Sequence, residues 1–334
     1  MYVELIEDVV MASLDELASM NKPIELVNEL KVTAFKIIAY IFFGPQGYSS
    51  LDPLRKLFGE QLKGVFCLPI NLPGFPYYKS LKAREKMVSL VNGSIEERKM
   101  RNKSNDYSKS KKSMLDLFLE VENEDGEKLD NETIIDLLGS MLAGGHEATA
   151  IATIWLLTYL SDNPQILQKV KEEQDNIISS RSSTQEGLTM TEIKQMGYTA
   201  KVIQEALRMT NVGIGAFRDA KADVKINGYN IPKGWRVLIN FRGVHLDPEI
   251  FTNPKTFDPS RWDNMNIKAG AYTPFGLGSR ICPGNDLAKL ELLIILHCVL
   301  LHYKLERINP ECKVRFFPMP LHTDNYLVKI TKLK

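Results

Sequence analysis

The chain has 334 residues, 44% of them hydrophobic, enough to bury a large core as two domains or one large one. Its 42 basic and 41 acidic residues leave a net charge of +1, which argues against a nucleic-acid-binding protein. Cys67, Cys282, Cys298 and Cys312 show no C-x-x-C spacing, so neither a zinc site nor a disulfide framework is indicated and a reducing compartment is expected.

No signal peptide opens the chain: residues 1–8 are acidic and amphipathic, without a basic n-region. Apolar spacing predicts helices up to Phe43, the second beginning at Pro23, with a breaker at Gly44-Pro-Gln-Gly. Leu51 to Leu68 and Tyr77 to Met100 read as helices around the proline-rich loop 69–76. Residues 98–113 are basic and rich in Ser and Asn, the composition of a flexible solvated connector. A short helix over Met114–Val121 precedes a long one from about Asp130 to Leu160.

Leu137 to Tyr159 is long enough to span a membrane, but Gly144-Gly-His-Glu147 lies at its centre. A mid-membrane Glu costs about 2.5–3.5 kcal/mol, so a buried core helix with a notch is the expectation. Paired glycines inside a helix need a reason. Either a neighbouring helix crosses closely, or a flat cofactor or small diatomic lies against the backbone. Two amphipathic helices follow, over 164–179 and 191–209, and then the period changes. Asn227-Gly228 marks a hairpin, Trp235–Asn240 a strand, and Lys313–Phe317 and Leu327–Ile330 two more. The expected fold is mainly α with a small antiparallel sheet.

Phe275-Gly-Leu-Gly-Ser-Arg-Ile-Cys-Pro-Gly284 is the densest chemical motif. Gly278 and Gly284 permit close approach or positive φ, and Pro283 keeps Cys282 out of the helix that begins just beyond. A helix N-terminus favours thiolate over thiol. A lone cysteine is usually a buried free thiol. A thiolate held this way also suits an axial haem ligand, with Arg280 placed to meet a propionate.

The complete pattern Phe-x-x-Gly-x-Arg-x-Cys-x-Gly resembles the haem-binding loop of the cytochrome P450 family. The resemblance implies that fold over residues 1–334 as a single domain lacking the N-terminal part, with haem b bound through Cys282. Phe275, Gly278, Arg280 and Gly284 complete the cofactor loop, and Arg218 supplies a second propionate cation unless it is a solvated arginine leading a strand. Glu205-x-x-Arg208 with Arg261 of Phe257-Asp-Pro-Ser-Arg261 would form the family's buried structural lock. Glu147 and Thr149 would deliver protons. Ala148, however, stands directly after the acid where the family's hydroxyl normally lies, and one residue along a helix is a 100° rotation.

Leu68–Phe75, Gly228–Trp235, Cys282–Glu291 and Arg307–Cys312 resemble a plant group within the family that oxidises rigid polycyclic terpenoids. The expected reaction is monooxygenation of a triterpene such as beta-amyrin, with ent-kaurenoic acid as the alternative substrate. A truncated product that binds haem or a ligand without turnover is the rival. Met141, Leu142, Gly145 and Ala148 would face the substrate, and Val212, Ile214 and Ala216 would add a wall, unless that small-residue stretch is a collapsed or flexible loop. Implied partners are O2 and an NADPH–cytochrome P450 reductase. The implied location is the cytosolic face of the endoplasmic reticulum membrane, although no transmembrane anchor is read in this chain.

Overall fold

Helical spacing of apolar residues sets most of the architecture. The computed structural model describes residues 2–45, 51–65, 67–103, 112–182, 185–213, 215–263, 267–316 and 319–333. Its helices are α1 (Val3–Ser19), α2 (Leu26–Phe43), α3 (Leu51–Lys63), α4 (Pro76–Lys103), α5 (Met114–Phe118), α6 (Asn131–Asp162), α7 (Pro164–Ser179), α8 (Met190–Gln195), α9 (Gly197–Met209), α10 (Phe241–His245) and α11 (Asn285–His302). The strands are β1 (Ile24–Glu25), β2 (Gly215–Asp219), β3 (Val224–Ile226), β4 (Tyr229–Ile231), β5 (Arg236–Asn240), β6 (Tyr303–Arg307), β7 (Val314–Arg315), β8 (Leu321–His322) and β9 (Leu327–Lys332).

Local chemistry fixes the boundaries. Pro76 and Pro164 open α4 and α7, where a missing N–H is harmless. Ser113 and Thr189 form capping boxes with Asp116 and Glu192. The helix expected over 191–209 is broken at Met196 (ψ 53°). Glu173 of α7 explains the break: its carboxylate accepts from the amides of Tyr198 and Thr199 at 2.6 and 2.8 Å, capping α9 afresh.

Pro23 leads into β1 rather than directly into a helix. β1 pairs antiparallel with β9, which pairs with β6. The other strands make three two-stranded pieces, β2–β5, β3–β4 and β7–β8. Asn227 and Gly228 both take positive φ (48° and 86°) in the β3–β4 turn, the geometry that Asn-Gly favours.

The chain divides into two compact units, 1–29 with 148–334, and 30–147. In the first, α11 packs against α1, α7 and α9, and β9 covers α1. Ile6, Val10, Val170, Val202, Ile294 and Val299 are buried there. In the second, α3 lies along α4, with Phe35, Phe58, Met87 and Ile95 buried. Each such side chain taken from water stabilises by about 1.5–3 kcal/mol. The stretch expected as a flexible connector begins otherwise. Residues 98–103 continue α4, and Arg98 is buried, donating to the Phe43 carbonyl at 2.5 Å and pairing with Asp116 at 3.4 Å. Residues 104–111 lie outside the described residues.

Candidate functional site

The cysteine loop is built on backbone bonds. Cys282 N–H donates to the Phe275 carbonyl at 2.8 Å, and Ile281 N–H to that of Gly278 at 3.1 Å. A single 3-10 turn, Gly278–Arg280, lies between them. Gly276 and Gly278 adopt φ of 79° and 75°, where a side chain would be strained. Gly284 does not: its φ is −92°, and a Cβ there would stand 4.0 Å from Cys282 Sγ, ordinary contact. The left-handed position that the motif reading missed is Gly276.

Cys282 is a free, half-buried thiol. No side chain caps α11, whose N-cap is Gly284, so first-turn amides and the positive end of the helix dipole lie beside the cysteine. Arg280 and Arg218 are exposed. Arg218, on β2, donates to the Phe217 carbonyl at 2.9 Å. Among the described residues neither guanidinium has a carboxylate partner. A half-buried thiol at an uncapped helix start, with two unspent guanidiniums in the same unit, fits a dianionic cofactor ligated through sulfur. Phe275 is half-buried, with Lys289 Nζ 5.3 Å from its ring centroid.

Beneath the loop is a buried ionic network. Glu205 accepts from Arg208 Nε and Nη2 at 2.9 and 2.8 Å, from Arg261 Nε at 3.3 Å, from Trp262 Nε1 at 3.1 Å and from Asp258 N–H at 3.1 Å. Arg208 and Glu205 are each 0% exposed, so every one of these bonds is needed to offset desolvation. The network reaches the cysteine through His245, which the motif reading did not include. Arg208 Nη1 donates to the His245 carbonyl at 2.7 Å, and the His245 ring accepts from Thr273 N–H at Nε2, 2.9 Å. Gly276 N–H then returns to the Thr273 carbonyl. Burial and the Arg208 charge lower the His245 pKa to about 4, so the ring is neutral and can accept.

Along α6 the two glycines have different reasons. A Cβ on Gly145 would come within 2.5 Å of Ile38 Cδ1 from α2, while one on Gly144 would meet nothing within 4 Å. Helix crossing accounts for the first, and open space lies beside the second. Leu142 is buried in the core. Met141, Gly144 and Ala148, spaced i, i+3 and i+7, form the accessible strip. Glu147 is ion-paired with Lys31 of α2 at 2.6 Å. His146 is buried, Nδ1 2.6 Å from the Leu142 carbonyl.

Thr149 is buried, and its hydroxyl acts on Glu291 of α11. Nothing in the motif reading assigned Lys31 or Glu291, because both partnerships join elements distant in sequence. Val212 and Ala216 are half-buried, and Ile214 lies outside the described residues. A Cβ on Gly215 would fall 2.4 Å from the Ile239 carbonyl, so β2–β5 pairing, not ligand bulk, accounts for the absent side chain.

The cytochrome P450 family model matches residues 2–330. The chain is 50% identical to a 7,8-epoxymelianol synthase of Citrus sinensis, over 100% of this chain and 68% of that protein. It is 48% identical to the beta-amyrin 11-oxidase of Glycyrrhiza uralensis, with the same shares covered. Among solved structures it resembles a retinoic-acid-bound cyanobacterial CYP120A1, with a TM-score of 0.86 and 25% identity over 99% of this chain and 74% of that one.

Proposed function

The chain belongs to the cytochrome P450 family, and from that premise we propose that it oxidises a C–H bond of a polycyclic triterpenoid, with Cys282 as the axial ligand to haem b. The observation that carries the reading is the Cys282 loop, with its half-buried thiol at an uncapped helix start and with Arg280 two residues before it, exposed and without a carboxylate partner among the described residues. Relatives sharing about half of its residues are named for making 7,8-epoxymelianol and for oxidising beta-amyrin, which favours a triterpenoid over ent-kaurenoic acid.

When bound, haem supplies thiolate-supported activation of O2. The residues of the chain do the rest. Arg280 and Arg218 would hold the haem propionates by charge-assisted hydrogen bonds. The strip along α6 offers apolar surface to a fused-ring substrate, and Gly144 leaves room for a flat group against the α6 backbone. Glu147 is held by Lys31, so it brings protons from the wetter side of α6. Electrons come from NADPH through a flavin reductase that docks on the cysteine side. The membrane of the endoplasmic reticulum, facing the cytosol, is the proposed location; among the described residues no helix is long and apolar enough to cross it.

The test is a reduced, CO-difference spectrum followed by a reductase-coupled assay on beta-amyrin and ent-kaurenoic acid. Cys282→Ser should remove the red-shifted thiolate Soret band, while Cys67→Ser, Cys298→Ser and Cys312→Ser should keep it. Loss of the band from Cys298→Ser with retention in Cys282→Ser would sink the assignment. Haem binding without any turnover of either terpenoid would favour the non-catalytic rival.

A further inference from the structure

The cysteine loop, residues 274–284, is held by its backbone. Cys282 N–H donates to the Phe275 carbonyl at 2.8 Å, and Gly276 N–H to that of Thr273 at 3.0 Å. His245 Nε2 accepts from Thr273 N–H and fixes that end from the buried side. Side chains of the loop contribute little. Among the described residues, Phe275 alone of 274–284 makes a side-chain hydrogen bond, ion pair or ring contact: Lys289 Nζ lies over its ring, 5.3 Å from the centroid. That contact comes from α11, the helix that follows the loop.

Lys289 is not where α11 by itself would favour a cation. It is the fifth residue of the helix, and helical side chains lean toward the N-terminus. Its ammonium is thus carried back toward the first-turn amides, the positive end of the dipole, where a cation is unfavourable. Asp286 stands three residues before it, the spacing of a helical ion pair, yet among the described residues the two make none. Nζ donates instead to Asn285 Oδ1 at 2.8 Å and faces the Phe275 ring. Phe275 is also the residue whose carbonyl holds the Cys282 amide. A cation on α11 therefore clamps the acceptor side of the hydrogen bond that sets where Cys282 stands.

We propose that Lys289 is a positioning residue for Cys282: its ammonium, anchored on Asn285, holds the Phe275 ring and, through the Phe275 carbonyl, fixes the cysteine amide and the sulfur beyond it. The consequence for the cofactor rests on the haem-thiolate reading above; the clamp itself does not. A cation over a ring at an exposed site contributes modestly, and it matters here because no other side chain of the loop is tied down. The charge has a second effect. A positive group beside the loop favours the more reduced, more negative state of a cofactor ligated through Cys282.

Two measurements separate this inference from the reading it depends on. The first is amide hydrogen exchange of the full chain, resolved at Cys282, which needs neither turnover nor cofactor. Lys289→Met should speed that exchange about two- to fivefold, the range an exposed cation–π pair allows, and Lys289→Arg should restore protection. Phe275→Leu should speed it as well, and adding Lys289→Met to it should change nothing further, because the two side chains act as one unit. Should Phe275→Leu not fold, the Lys289 variants carry the test. The second is the midpoint potential of the haem-loaded protein at low ionic strength, where an exposed charge is least screened. Lys289→Met should shift it to more negative values, Lys289→Glu should shift it further, and Lys289→Arg should leave it in place. Unchanged Cys282 exchange in Lys289→Met would overturn the proposal, and so would an unmoved potential. Unchanged exchange with only a higher reductase concentration needed for half-maximal turnover would make Lys289 a partner contact and sink the clamp. Faster exchange in a chain that binds no haem would uphold the clamp and sink the haem-thiolate reading instead.

Discussion

Single positions separate packing from chemistry most cleanly at Gly144 and Gly145. A methyl on Gly144 enters open space, so Gly144→Ala should stabilise α6 by about 0.5–1 kcal/mol through helix propensity. The same methyl occupies the accessible strip, so haem content or substrate affinity should drop while the protein melts higher. Gly145→Ala meets Ile38 Cδ1, and Ile38 is itself buried, so it should lose roughly 1–3 kcal/mol to overpacking. Denaturant midpoints of the two variants, read beside haem stoichiometry, check the contrast. If Gly145→Ala proved the more stable, the crossing explanation would fail. The sequence announces that two glycines need an explanation. It cannot say which helix crosses at which one, because Ile38 lies about a hundred positions away. Lys31 and Glu291 stayed hidden for the same reason: an ion pair or a buried acid is defined by a partner that spacing along the chain does not reveal.

Elements show the same division between what local chemistry settles and what tertiary partners impose. The β3–β4 turn was legible because Asn227-Gly228 carries its own backbone preference, and α7 because Pro164 and apolar spacing agree. The break at Met196 was not, since the new cap on α9 comes from Glu173 on another helix. β2 was hidden behind small residues that pair with β5. The lock joining α9, α10, the 3-10 turn Pro259–Trp262 and the cysteine loop was partly readable, through Glu205, Arg208 and Arg261; His245, its link to Thr273, was not. Removing one partner from the fully buried Glu205–Arg208 pair costs about 3–5 kcal/mol, much of a domain's net stability. Glu205→Ala and Arg208→Ala should therefore fail to yield soluble, haem-loaded protein. Soluble yield and the Soret band are the readouts. A haem-replete Glu205→Ala enzyme that merely turned over more slowly would show that the network acts on the chemistry instead.

For the whole molecule, buried titratable groups set opposing slopes on stability against pH. His245, His297 and His322 are each lowered by burial from 6.5 to about 4. Between those values the unfolded chain binds three protons that the native chain does not, so stability rises with pH through that window. Glu291 works the other way. Its carboxyl is raised from 4.5 to about 8, so the native state holds a proton the unfolded state has released, and stability falls as pH rises through that range. Each group contributes a slope of about 1.4 kcal/mol per pH unit while its two states differ. Below pH 6.5 these histidines, joined by His146 and His302, which burial also lowers, outweigh one glutamate; above it Glu291 alone remains. Asp15, held low by Lys332 and Tyr303, and Glu192, held low by Arg181 against its burial, act at lower pH still. These buried groups therefore place maximum stability near pH 6.5, with a steep acid limb and a shallow alkaline one ending near pH 8. Urea midpoints across pH 4 to 9 should trace that asymmetry. His297→Gln should flatten the acid limb by about 1.4 kcal/mol per pH unit, and Glu291→Gln should level the alkaline limb and steepen the acid limb between pH 4.5 and 6.5. A wild-type midpoint that climbed steadily from pH 6.5 to 8 would mean that Glu291 is ionised in the native protein.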